Sequence, residues 1–125
     1  MGSLESGYEP TPKPLCQIVT PIGMLGYGFK ASDLESGLEL AATKNAPTAI
    51  ILDSGSTDSG PSKLALGSMT CPRSAYKQDL RQLITAVTKY RVPLLISSAG
   101  GDGSDAHVQE FLDIIREILN APDQL

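Results

Sequence analysis

The sequence predicts an α/β protein in which three βα units follow one another around a short parallel sheet, arranged in three layers. Short aliphatic and β-branched runs, each bounded by Gly or Pro, read as strands. Each is followed by a stretch whose apolar residues recur at helical spacing. A strand–helix–strand crossover makes neighbouring strands parallel.

The elements follow in order. Residues 1–14, MGSLESGYEPTPKP, hold three prolines and no apolar periodicity, and read as a disordered leader. Residues 16–20 form the first strand, closed by Pro21 and Gly23. Ser32 and Glu35 have the spacing of a capping box, so a helix is expected from Ser32 to about Asn45, burying Leu34, Leu38, Ala41 and Ala42. Residues 48–53, TAIILD, are apolar without alternation, as in a strand covered on both faces. A long loop over residues 54–72 leads to a helix at about 74–90, striped by Tyr76, Leu80, Leu83, Ile84 and Val87. Residues 92–97 are the third strand. A last helix carries Val108, Phe111, Leu112, Ile115, Ile118 and Leu119, and residues 121–125 read as a tail.

This βαβαβα order predicts one domain over residues 15–120, with right-handed crossovers and helices on both faces of the sheet. It is half of a doubly wound fold, Rossmann-like or flavodoxin-like, with strand order left open. All three strand-to-helix loops then emerge on one edge, where open α/β sheets bind ligands.

The 125 residues suit a single domain. Fourteen acidic and ten basic residues give a charge of −4, which argues against nucleic-acid phosphate and polybasic membrane contacts. No apolar run reaches the roughly 20 residues of a membrane helix. Cys16 and Cys71 are too few for a disulfide scaffold, and no signal-peptide pattern opens the chain, so the cytoplasm is the expected location.

The three loops hold the candidate chemistry. The first offers Gly26, Tyr27 and Gly28, but its G-x-x-G-x-G spacing is not the dinucleotide fingerprint, and turn formation explains the glycines equally well. The second offers Asp53, Ser56, Thr57 and Asp58, and the third Ser98, Gly100, Gly101 and Asp102. Asp53 or Asp58 would serve as general base, and Asp53, Asp58 and Asp102 would supply oxygen ligands to Mg²⁺. Asp and Ser are also common caps and turn formers, which leaves Ser104 or Asp105 as the cap of the last helix. His107, the only histidine, is a candidate proton carrier, with a solvated or capping role as the alternative. Cys71 lacks an activating partner, and a buried, inert thiol is its expected state. Lys63 and Arg73 are the cations nearest this edge, each able to meet an anionic substrate or to serve as an ordinary surface residue.

Three stretches, TPIGMLGYGF, LDSGSTDSGP and ISSAGGDGSDAH, together with Arg73 and Lys77–Leu80, resemble the N-terminal region of the acyclic terpene utilisation (AtuA-like) family over about residues 16–119. The resemblance implies an α/β enzyme of small-molecule catabolism or secondary metabolism. It carries over to Gly26, Tyr27, Gly28, Asp53, Gly55, Ser56, Thr57, Asp58, Arg73, Ser98, Gly100 and Gly101. Family members are typically several times longer, so this chain reads as a fragment, a truncated paralogue or a subunit completed by a homo-oligomer or partner chain.

Two functions are expected from different classes. The first is an enzyme domain of lyase, hydratase or isomerase type that binds an oxygen-rich or carboxylated metabolite at the carboxyl edge. The second is a noncatalytic module that oligomerises or docks a partner.

Overall fold

A computed structural model describes residues 12–121 and Asp123. The expected leader therefore lies largely outside the described residues, as does most of the expected tail. The chain runs β1 (Gln17–Val19), α1 (Ala31–Ala42), β2 (Thr48–Asp53), α2 (Gly60–Leu66), α3 (Arg73–Tyr90), β3 (Leu94–Ser97), a short 3-10 turn (Ala99–Gly101) and α4 (Asp105–Leu119). The three strands form a parallel sheet in the order β1-β2-β3, with Ile50 opposite both Val19 and Leu94. This is a small α/β fold, and all strand-to-helix loops leave the same end of the sheet.

The layering differs from the expectation. Strands that step across a sheet in sequence order, with crossovers of one hand, place their helices on one face. α1 packs on α3 and α3 on α4, and side chains from all three share one core with Val19, Ile50, Leu52, Leu94 and Ile96. Among the described residues no helix covers the opposite strand positions, and Ile18 is 61% and Leu95 52% exposed. The apolar run of β2 is thus covered on one face, and the fold has two layers where three were expected.

The core is built where the helix stripes meet this face. Leu25, Ile50, Tyr76, Leu80, Leu83 and Ile114 are completely buried. Each large aliphatic side chain so buried contributes about 1.5–3 kcal/mol of transfer free energy. Tyr76 joins α3 to α4, its ring 4.8 Å from that of Phe111.

Other boundaries shift for local reasons. The capping box of Ser32 and Glu35 does not form. α1 begins at Ala31, and the Lys30 carbonyl accepts from the Asp33 and Leu34 amides. Glu35 instead meets Lys89 and Tyr90 of α3. The loop expected after β2 contains α2, which ends where Gly67 enters the left-handed region at φ 66°. Ser104 caps α4, its hydroxyl accepting from the His107 amide. The buried face of α4 is rotated from the expected stripe. Phe111, Ile114 and Ile118 enter the core, whereas Val108, Leu112 and Leu119 stay exposed.

Acidic side chains lock these helices together. Arg73 of α3 pairs with Glu110 and Glu117 of α4, and Lys77 Nζ lies 2.9 Å from Glu117 Oε2. Hydrogen bonds from Arg73 and then Lys77 hold Glu117 down to about 2, against an ordinary 4.5. The Lys89 hydrogen bond likewise lowers Glu35. A carboxylate lowered on folding contributes stability above its unfolded pKa and loses that contribution as pH falls through its folded value. The thermal midpoint is therefore expected to decline as pH drops from 4.5 towards about 2, and the decline should be shallower in Glu117→Gln. Because these pairs are solvent-exposed, the difference will be modest. An identical acid profile in the variant would remove Glu117 from this account.

Candidate functional site at the carboxyl edge

The loop after β1 is held from below. The Gly26 and Gly28 amides donate to the same carboxylate oxygen, Oδ2 of Asp79, at 2.8 and 3.2 Å. Asp79 projects from α3 and is 1% exposed. Two amides converging on a carboxylate make a charge-assisted anion site, and here the anion belongs to the chain itself. The expected use of Gly26 and Gly28 as substrate-binding amides gives way to this internal clamp. Gly26 sits at φ +100°, and a Cβ there would lie 2.8 Å from Cys71 Sγ, so only glycine fits. Tyr27, between them, points to solvent.

Cys71 lies beneath this loop. Burial pushes its thiol up, and the nearby Asp79 charge adds to that, against the Tyr76 hydroxyl. A raised pKa disfavours the thiolate, so the sulfur is a packing group.

The loop after β2 begins at Asp53, the last residue of the central strand. Its Oδ1 accepts from the Gly55 amide at 3.0 Å and from the Ser97 hydroxyl at 3.1 Å. Desolvation raises its pKa, but the Gly55 amide and the Ser98 and Ser97 hydroxyls together outweigh it and the net shift is downward. Asp53 is an exposed, fixed anion at neutral pH. Beneath it Ser54 is fully buried, its Oγ 2.8 and 2.7 Å from the Ser97 and Ser98 carbonyls, which pins the second loop to the third. Asp58 lies on the exposed turn that follows, lowered first by the Ser56 hydroxyl. Ser56 and Ser59 hydroxyls stand 2.5 Å apart.

The loop after β3 coils through left-handed conformations at Ser98 (φ 54°), Gly100, Gly101 and Gly103. The Gly101 carbonyl and the Ser98 side chain press on Gly55, where a Cβ would come within 2.5 Å of that carbonyl oxygen. The Gly100 carbonyl accepts from the Thr70 amide. Lys63 of α2 flanks this loop, its Cγ 3.6 Å from where a Gly101 Cβ would stand.

Asp102 and His107 turn inward. Asp102 Oδ1 accepts from the Ser104 amide at 2.9 Å and lies 2.7 Å from His107 Nδ1. His107 Nε2 faces the Gly67 carbonyl at 3.3 Å. The two side chains are 2% and 8% exposed. Burial raises the Asp102 pKa, but the Ser104 amide and hydroxyl and His107 bring it below its ordinary value. Both imidazole nitrogens are thus occupied within the protein, and the pair fastens the third loop to α2 and α4.

The sequence-derived candidates therefore separate. Asp53, Ser97, Ser98, Gly55 and Gly101 come together at the end of the sheet, with Ser56, Thr57 and Asp58 on the adjoining turn. Arg73 is drawn into the α3–α4 ion pairs. Among the described residues no group of three or more His, Cys, Asp or Glu side chains could hold a metal. Asp53, Asp58 and Asp102 are thus not gathered into one three-carboxylate site for Mg²⁺. Asp79 was missed as a functional support. Its signal was available, since a carboxylate three residues after Tyr76 and four before Leu83 borders the apolar face of a helix. A surface groove also lies at the opposite end of the sheet, between Leu38, Pro47, Tyr90 and Pro93. Asn45, Thr48 and Arg91 also line it.

These features define a small α/β domain with a parallel sheet and a polar carboxyl edge. No protein-family model, no curated protein and no solved structure matches the chain.

Proposed function

We propose that the chain is a small-molecule-binding domain of a metabolic enzyme, of lyase, hydratase or isomerase type. Its ligand is an oxygen-rich or carboxylated metabolite seated over the end of β2. The observation that carries this reading is Asp53, an exposed carboxylate oriented by the Gly55 amide and the Ser97 hydroxyl at the carboxyl end of the central strand. An ionised carboxylate accepts a hydrogen bond from a ligand hydroxyl and, with that hydroxyl aligned, can receive its proton. The hydroxyls of Ser56, Thr57 and Ser98 line the same edge, and Lys63 offers a cation for a ligand carboxylate. The likeness to the acyclic terpene utilisation family points in the same direction. Proton transfer with elimination or addition of water suits these groups better than acyl transfer, because among the described residues no activated nucleophile stands at the rim.

A thermal-shift screen against hydroxy acids, dicarboxylic acids and acyl-CoA thioesters tests the reading. At least one compound is expected to raise the midpoint of the native chain. Asp53→Asn should abolish that rise with little change in the unliganded midpoint, since the asparagine still offers an acceptor oxygen to Gly55. An undiminished ligand response in Asp53→Asn would overturn the assignment.

A second reading, a noncatalytic assembly module, is favoured by the uncovered sheet face at Ile18 and Leu95. A chain that associates but answers no compound in the screen would support it.

A further inference from the structure

α4 carries two apolar faces. One enters the core through Phe111, Ile114 and Ile118. The other is formed by Val108, Leu112, Ile115 and Leu119, of which Val108 is 43%, Leu112 41% and Leu119 54% exposed. Their spacing of four, three and four residues is that of a helix seam which packs against another helix. The face is continuous with an apolar groove that includes Leu94 and Ile96 of β3. Among the described residues β3 is an edge strand of the sheet, paired with β2.

We infer that this second face of α4 is an interaction surface, and that its occupant is α4 of a second copy of this chain, packed antiparallel about a two-fold axis. The reason is self-complementarity. An axis midway along the stripe places Val108 opposite Leu119 of the second copy, and Leu112 opposite its Ile115. A large residue then meets a β-branched one at every level. The flanking polar residues agree with the same direction. Arg116 and Gln109 lie on the same flank of the stripe, and Asp113 Oδ1 accepts from both, at 2.9 Å in each case. Arg116 is 62% exposed and borders the stripe, so it can reach across, whereas Asp113 lies farther round the helix. In the antiparallel arrangement Arg116 falls beside Gln109 of the second copy on the same flank, and the contact occurs twice. In a parallel two-fold pair the Arg116 flank would instead face the opposite flank of the second copy, where Phe111 and Ile118 already enter its own core. Antiparallel helices also set opposite dipole ends together. A self-complementary surface of this kind is what a two-fold dimer requires. The interface lies on α4 rather than on the Asp53 rim, so its success or failure does not depend on the ligand reading.

The test is molar mass by sedimentation equilibrium across micromolar concentrations. The native chain is expected to show twice its 13.2 kDa. The double variant Leu112→Glu, Leu119→Glu, at two exposed positions of the stripe, is expected to sediment as a monomer with unchanged helical circular dichroism. Should that variant lose its fold, Arg116→Glu serves in its place and is expected to weaken association severalfold. Orientation is read by oxidation in a Cys16→Ser background. A mixture of Val108→Cys and Leu119→Cys chains is expected to cross-link to each other, and each chain alone much less. A native monomer at every concentration would overturn the proposal, as would a dimer untouched by these substitutions. Preferential cross-linking of each chain to itself would overturn the antiparallel pairing.

Discussion

Asp79→Ala is expected to cost about 3 kcal/mol of folding free energy and roughly 10 °C in thermal midpoint. The carboxylate is 1% exposed, and one of its oxygens takes both the Gly26 and the Gly28 amides. A hydrogen bond to a charged group is worth about 1.5–3 kcal/mol, and removing the acceptor leaves its donors unsatisfied wherever water cannot reach them. The cavity left beneath the loop adds to the loss. Such a change is a large share of the 5–15 kcal/mol that a domain of this size usually has. The effect should be local as well as global. Amide hydrogen exchange is expected to accelerate most across residues 23–29, because the clamp is what joins that segment to α3. Asp79→Asn keeps an acceptor oxygen and is expected to lose markedly less. Equal losses in the two variants would show that packing, and not the carboxylate clamp, determines the stability of this loop.

The second large effect is expected at Gly55. A methyl group there would sit 2.5 Å from the Gly101 carbonyl oxygen and 2.8 Å from the Ser98 Cβ. The obstacle is backbone, which cannot rotate away as a side chain can. Gly55→Ala must therefore part the second loop from the third, at a cost of about 1–3 kcal/mol. The same movement shifts the Gly55 amide that orients Asp53. Ligand response and stability are thus expected to fall together in this variant, whereas Asp53→Asn should separate them. Chemical denaturation of both variants, set beside the thermal-shift response, distinguishes the two behaviours. A Gly55→Ala chain with native stability would mean that the loops do not meet as closely as the structure has them.

Much of this architecture is legible in the residues. The run TAIILD is β2 from end to end, because aliphatic residues bounded by Pro47 and a Ser/Gly loop leave few alternatives. α3 follows from its long periodic stripe, and the carboxyl-edge location of the loops follows from parallel connectivity alone. The layer count was not legible. Whether crossovers alternate faces depends on strand order, which no local pattern encodes. The capping box at Ser32 failed because local spacing competes with tertiary partners, and Glu35 found Lys89 and Tyr90 across the helix pair. On α4 a wide apolar stripe concealed two faces, and only packing reveals which one enters the core.

The site divides the same way. Asp53 was identifiable by its place at the strand end. The inward turn of Asp102 and His107 was not, because residues five apart meet there only through the left-handed coil of Ser98–Gly103. Arg73 was read as a rim cation because it begins a helix near the loops, yet two glutamates of α4 capture it. Side-chain identity thus located the rim, and long-range partners decided which residues remain free to act at it.

The central claim, that a small molecule binds over Asp53 at the carboxyl edge, is tested most directly by amide NMR of the native chain. The chain would be titrated with the compounds of the thermal-shift screen. The expected result is chemical-shift change concentrated in residues 53–60 and 97–104, lost in Asp53→Asn. Shift changes confined to the opposite groove around Pro47, Tyr90 and Pro93, or none with any compound, would contradict it.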